Sequence, residues 1–540
     1  MPEVHVSDVV VTGSGAAALT AAVSAAVRGA QVTVLERADL FGGTSAISGG
    51  GMWLPGNGLD PDFTDSADDA RRYVKHLTLG LVDDKLIDRY IAEAPGIPAF
   101  LSEHTALEFW TVVGRPDYHA DYDGGSGTSR TVFPDTFDTA RLGELKDKLR
   151  RPHWPGGIPP LRGDELQQFI ARGDPDGWKV LVEERMAKGI VLRGCALVGG
   201  LLEACVRLGV RLLSQTRARE LMIKDGRVVG VRAERNGALE DFEASQGVVL
   251  ASGGFEWNRE LWDALLQIPW DGPASPPNNE GDALIMASKA GARLGNLNRA
   301  WFTPARDLGE TYEGRPMIRI GMYGSAPGEI LVNRKGKRFV NEALNYNDIG
   351  MPMTALDPNS YEFANHPAFA ITDRRYQQKI AMFDAQTLSG DRRTPEGVTE
   401  APTLRELAGK LGIDPDGLEA QVEEFNKYAV DGHDPLFHRG ESPWELFIQP
   451  QSDLPNRAIA PIKDPPFIGY HVRAGVFGTK GGPVIDENAQ VVSMDGTPIP
   501  GLFGAGNAVA SVFGAAYPGG GATLGPGVTF GYVAGITLTS

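Results

Sequence analysis

Cysteine is almost missing: the 540 residues hold two, Cys195 and Cys205. They lie ten apart in a stretch that reads as helix, so no disulfide framework is expected. Nor is there a four-thiolate set for an iron–sulfur cluster or a CxxCH for haem. Positive charge is short as well. Lys and Arg number 52 against 69 Asp and Glu, a net charge of -17. No basic stripe offsets it, which argues against nucleic acid as a partner. No apolar run is long and unbroken enough for a transmembrane segment, and no basic head with an apolar run opens the chain. A cytoplasmic location is the expectation, and peripheral membrane association would need only a surface patch.

Glycine, by contrast, is abundant, 68 residues beside 37 prolines. The glycines cluster at a few motifs instead of recurring periodically, which predicts tight turns around a ligand and speaks against collagen or disorder. Hydrophobic and charged fractions of 42% and 22% are those of an ordinary globular protein. The length predicts two domains.

The first cluster stands near the start. Residues 8–12 read as a strand, Gly13-Ser14-Gly15 as a sharp turn, residues 16–27 as a small-residue helix, and residues 31–35 as a second strand ending in Glu36. Strand, glycine turn, helix, strand and acid make up a dinucleotide-binding unit. Gly13 permits the turn, and Gly15 lets backbone approach a pyrophosphate at the helix N-terminus, where free N–H groups point. Ser14, Ala16 and Ala17 are expected along that contact, and Ala18 stands at the third glycine position. Glu36 is placed for the adenosine ribose, with Arg37 beside it.

A second glycine-rich stretch, residues 37–57, follows at once. A plain nicotinamide site has no use for it, but a flavin does, because its ring lies far from the adenine. Gly42, Gly43, Thr44 and Ser45 are expected around the phosphate–ribityl region, and Ser48, Gly49, Gly50 and Gly51 beside the ring. Further on come a helix at 195–208, a hairpin turning at Lys224-Asp225-Gly226-Arg227, and a strand at 247–250 running into ASGGF. Ala218, Ala251, Ser252 and Gly253 are expected against the cofactor.

From residue 276 the dinucleotide pattern stops. GEILVNRKGKRFVNE (328–342) reads as a hairpin and residues 404–429 as a helix pair; PIKDPP (461–466) reads as a boundary. Glycine-rich strands then return, GTKGGPVID (478–486) and PIPGLFGAGN (498–507), bringing Gly506 and Asn507. Last comes YPGGGATLGPG (517–527), opening a helix whose N-terminus near Gly525 can oppose charge on a reduced flavin. The fold class is therefore α/β. A Rossmann-like FAD-binding domain is built from both chain ends, 1–275 and 461–540, with an inserted α+β catalytic (capping) domain at 276–460.

Taken together, GSGAAALTAA (13–22), FGGTSAISGGGMWLPGN (41–57), LVNRKGKRFVNE (331–342), FGTKGGPVID (477–486), IPGLFGAGN (499–507) and YPGGGATLGPGVTFGY (517–532) resemble the fumarate reductase/succinate dehydrogenase flavoprotein superfamily. The resemblance covers essentially the full length, and its narrowest match is to the 3-ketosteroid dehydrogenases. Fumarate reductases carry paired histidines before Thr-x-Gly-Gly and an arginine clamp near the last glycine run. Here those places hold Phe477, Gly478 and Tyr517. Without those charges a dicarboxylate is poorly served, and a small apolar ketone, a 3-ketosteroid, is implied instead. Residues 37–57 hold no histidine of the kind the superfamily uses to link FAD covalently, so FAD is expected non-covalently bound. Electrons are expected to leave for an external acceptor.

The resemblance also implies roles. Tyr517 and the Gly521 N–H would hold the C3 carbonyl. A capping-domain tyrosine, expected at Tyr323 with Tyr346 the alternative, would accept the proton. A tyrosine from the N-terminal half, Tyr118 ahead of Tyr122, would assist it, while His119 reads as a loop histidine. Proton abstraction at C2 with hydride transfer from C1 to flavin N5 gives Δ1 desaturation. C4–C5 desaturation of a 5α-3-ketosteroid, reduction of an unsaturated acid and non-catalytic flavin binding are the alternatives.

Overall fold

The computed structural model describes residues 3–540 apart from 129, 153–159, 163, 166–167, 170–171, 173, 175–176, 321–325, 377–395 and 450. Its first sheet has the strand order 490–492, 498–504, 238–250, 4–12, 32–35, 211–213, with the hairpin 216–224/227–235 paired alongside 238–250. From 498–504 through 211–213 the strands run parallel. The near-continuous apolar runs VVV (9–11) and VVL (248–250) are wholly buried. The sheet is covered by helices 16–27, 193–207 and 524–538, and the hairpin 216–224/227–235 also packs on it.

The two chain ends meet through small side chains. Helix Ala16–Val27 is alanine-rich and packs against the C-terminal helix Leu524–Leu538. A Cβ at Gly531 would lie 2.4 Å from the Ala17 carbonyl oxygen. The Ser24 hydroxyl donates to the Tyr532 carbonyl at 3.1 Å. Only near-bare backbones approach this closely, so the C-terminal helix completes the cofactor unit.

The second sheet has the order 319–320, 300–306, 467–479, 368–373, 330–332, with 399–401 also on 467–479. The segment after the boundary expected at 461 contributes to this sheet. Strand Phe467–Thr479 is long enough to pair with both Ala300–Arg306 and Ala368–Asp373. The prolines before it precede this strand and do not interrupt it, so the second sheet runs past 461. Helix Asp282–Lys289, just after the other expected boundary, buries Ala283, Met286 and Ala287 in the main core.

The hairpin expected at 328–342 is reduced to one bridge, Val332 to Arg338. Strand Ile330–Val332 pairs instead with Ala368–Asp373. The cause is a buried ionic cluster that claims the returning segment. Arg338 donates to Glu342 at 2.7 and 2.9 Å and to Asp434 at 2.7 and 3.0 Å. Arg439 reaches Glu342 at 3.2 Å, and the Arg338 N–H is spent on Gln421 at 3.1 Å. This places Arg338 and Glu342 inside the capping domain, away from the tyrosines. Removing one partner strands the other charges in the interior, so Glu342→Ala should cost about 3–5 kcal/mol. Denaturant unfolding of the holoenzyme checks this; a loss below about 1 kcal/mol would show that the cluster adds no stability.

Candidate active site

The glycine turn is built by exclusion. Gly13 has φ +93°, and a Cβ there would come within 2.5 Å of the Ala251 carbonyl oxygen, so the end of one parallel strand touches the end of its neighbour. The Ser14 hydroxyl then does double duty: it donates to Glu36 at 2.5 Å and accepts from the Gly42 N–H at 2.8 Å. Burial raises the Glu36 pKa, countered by Ser14, the Ala38 N–H, Arg150 and Arg37. Asn279 bonds Thr44 at 3.1 Å and the buried Glu256 at 2.6 Å. The expected loop at 37–57 contains a short helix, Gly43–Ile47. Ser45 on that helix accepts from the Ala16 N–H at 3.0 Å, tying the second glycine stretch to the first.

One cavity collects these elements. Of the residues expected to touch the cofactor, all line it except Ala16, Gly42 and Gly525. Those three lie behind the wall, their N–H groups held by Ser45, Ser14 and the Gly521 carbonyl respectively. The buried Ser252 hydroxyl has no protein partner, as befits a wall that faces a polar ligand. The cradle fits FAD: bare glycine backbone for the phosphates, an acid at the far strand end, and a second loop set for the ring.

Tyr118, Tyr346, Tyr517 and Gly521 line the same cavity. The Tyr346 and Tyr517 hydroxyls are hydrogen-bonded to each other. Ring centroids lie 5.2 Å apart for Tyr346–Tyr517, 5.3 Å for Tyr118–Tyr517 and 6.1 Å for Tyr118–Tyr346. Phe477 stands edge-on to Tyr346 at 5.6 Å. Burial raises all three phenol pKa values, Tyr346 well above the ordinary value. Tyr122 is 40% exposed and stacks on His119. His119 itself bonds Asp348 at 2.8 Å. Tyr323 lies outside the described residues.

Several elements aim the tyrosines. The glycine run 519–521 is clamped because Thr131 donates to the Gly520 carbonyl at 2.9 Å and the Trp53 N–H to the Gly521 carbonyl at 3.1 Å. Gly521 has φ +92°, and a Cβ would sit 2.3 Å from the Gly51 carbonyl carbon. Its N–H is thereby turned toward the Tyr517 hydroxyl. Tyr118 is pinned through its own N–H to the Pro518 carbonyl at 3.0 Å. Tyr346 opens a short helix capped by the Asn345 side chain.

Sequence reasoning missed three supports. Buried Lys480 donates to the carbonyls of Ala515 and Ala516, and lies 4.1 Å over the Trp301 ring, which packs on Tyr517. Burial lowers its pKa to about 7. Arg115, three residues before Tyr118, also lines the cavity, and Trp444 packs on Tyr118 at 4.4 Å. Only the closeness of Arg115 to Pro-Asp-Tyr in the chain signals any of these.

With this geometry in view, comparison decides the class. Residues 8–524 match the FAD binding domain family. The chain belongs to that family. It is an FAD-dependent oxidoreductase of the branch that holds the 3-oxosteroid 1-dehydrogenases. It is 38% identical to 4-oxocyclohexanecarboxylate 2-dehydrogenase of Sinomonas cyclohexanicum, across 98% of this chain and 92% of that one. It is 34% identical to 3-oxosteroid 1-dehydrogenase of Mycobacterium tuberculosis H37Rv, across 98% of both. The solved 3-ketosteroid delta1-dehydrogenase of Sterolibacterium denitrificans superposes with TM-score 0.88 at 32% identity over 99% of each chain. No helix among the described residues of this flavoprotein is long and apolar enough to cross a membrane.

Proposed function

We propose that this flavoprotein desaturates a ring ketone beside its carbonyl, the reaction that in a 3-ketosteroid is C1–C2 dehydrogenation. The observation that carries the reading is the convergence of Tyr517, the Gly521 N–H, Tyr346 and Tyr118 in the cavity that the flavin loops line. An unactivated C–H loses a proton only where a neighbouring carbonyl takes up the charge, so carbonyl donors and a proton acceptor must share one site. Tyr517 is suited to donate, because its hydroxyl lies on the same short loop as the Gly521 N–H. The Gly521 N–H supplies the second donor. Tyr346 takes the α-proton on its oxygen, in the place first expected of Tyr323, and Tyr118 packs against it as the assisting phenol. Bound FAD supplies the two-electron acceptor for the β-hydrogen and its electron pair, and an external oxidant reclaims them. Substrate leaves as the conjugated enone, one proton and one hydride poorer.

Phe477 and Tyr517, standing in the dicarboxylate branch's charged positions, leave that chemistry without its clamp. Anaerobic flavin bleaching should follow addition of a saturated or partly unsaturated ring ketone and ignore succinate. NMR of the product should show the new double bond conjugated to the carbonyl. Bleaching by succinate, with none by ketones, would overturn the reading. A dye acceptor should sustain turnover.

A further inference from the structure

The cavity is lined by five arginines, Arg37, Arg115, Arg150, Arg193 and Arg319. Three are paired: Arg37 with Glu280, Arg150 with Glu313 and Arg319 with Glu310. Arg193 is exposed and stands beside Gly50 at the flavin loop. Arg193 forms no ion pair among the described residues, and Arg115 differs from it in being held among aromatic rings beside the carbonyl-binding loop. Among the described residues Arg115 too forms no ion pair; its Nε is buried without a partner, while its side chain also hydrogen-bonds Tyr118. Its guanidinium packs 5.6 Å from the Phe133 ring and 5.7 Å from the Trp444 ring. It also abuts the carbonyl-binding loop: a Cβ at Gly520 would fall 2.7 Å from its Nη2.

A cation held among aromatic rings beside a catalytic loop, with one buried N–H unspent and no counter-charge, is costly unless an anion arrives. A neutral steroid brings none. The geometry points to Arg115 as the anchor for a carboxylate on the substrate, making the substrate class a ring ketone that also carries an acid group, such as a 4-oxocyclohexane carboxylate. From bond lengths, such a ring spans roughly 6 Å from ketone to carboxylate. That span is short enough to bridge the Tyr517–Gly521 pair and a guanidinium seated on the adjoining Gly520. A planar fork suits a carboxylate better than a lysine would. The inference rests on the ring-ketone reading above and adds the second recognition point.

The test uses the holoenzyme with 4-oxocyclohexanecarboxylate, its methyl ester and a neutral 3-ketosteroid, following anaerobic flavin reduction. The parent enzyme should favour the acid over the ester by roughly 10–100-fold in kcat/KM, the span of one charge-assisted contact. Arg115→Met should bring the acid down to the ester's level mainly through KM, and Arg115→Lys should restore part of the difference. Flavin content of each variant reports that it folds. Equal use of acid and ester by the parent overturns the inference without needing any variant. So does an equal loss on both substrates in Arg115→Met, which would assign Arg115 to tuning the tyrosines. Reduction by the steroid alone leaves the ring-ketone reading intact and removes the acid anchor; reduction by no ketone removes both.

Discussion

Tyr346→Phe should slow flavin reduction by roughly 10²–10⁴-fold, the usual worth of a positioned acid–base group, while FAD stays bound. Phenylalanine keeps the ring that packs on Phe477, Tyr118 and Tyr517 and removes only the oxygen that bonds to the Tyr517 hydroxyl. Burial holds the Tyr346 pKa well above the ordinary phenol value. At neutral pH its reactive, deprotonated form is therefore scarce, and the reduction rate of the parent should climb with pH up to about 10 without levelling off. The climb should vanish in Tyr346→Phe. Stability sets the window for this measurement. A raised phenol pKa means that the folded state holds its proton more tightly, so that contribution is complete below about pH 10 and is lost as pH rises toward the folded value. Rapid-mixing measurements below that limit decide the matter. A Tyr346→Phe rate within about threefold of the parent would remove Tyr346 from the proton transfer.

Tyr517→Phe should cost about 3 kcal/mol in the transition state, or roughly 100-fold in rate. If the hydroxyl and the Gly521 N–H form the proposed oxyanion-type pair, its value grows as the ketone becomes enolate-like. Binding of the unreacted ketone should weaken far less, since a neutral carbonyl is the poorer acceptor. The two tyrosine variants are distinguishable by pH. Tyr517→Phe should keep the alkaline climb, because the proton acceptor is still present, whereas Tyr346→Phe should not. Stopped-flow reduction with correctly bound flavin checks this, and a rate within about twofold of the parent would make Tyr517 a packing residue only.

The sequence by itself determined the cofactor unit. Its signals are local: the glycine turn at 13–15, the acid at 36 and the return of glycine strands near 498–527 each follow from which backbone conformations a residue permits. Residues 16–27 form the expected helix to the residue, because small side chains and a strand-to-helix turn leave little choice. Tyr517 and Gly521 were legible for the same reason, sharing one short motif. What stayed hidden depends on contacts across long separations. Strand Phe467–Thr479 belongs to the second sheet because its partners at 300–306 and 368–373 demand it, and no local pattern announces partners roughly 100 or more residues away. That Tyr346 brings its hydroxyl onto Tyr517, 171 positions away, depends on packing, and its role as proton acceptor is our proposal. The lack of an ion pair at Arg115 among the described residues depends on packing too. A guanidinium looks alike in any sequence, and only the surrounding rings, with no ion pair formed among them, give it a purpose.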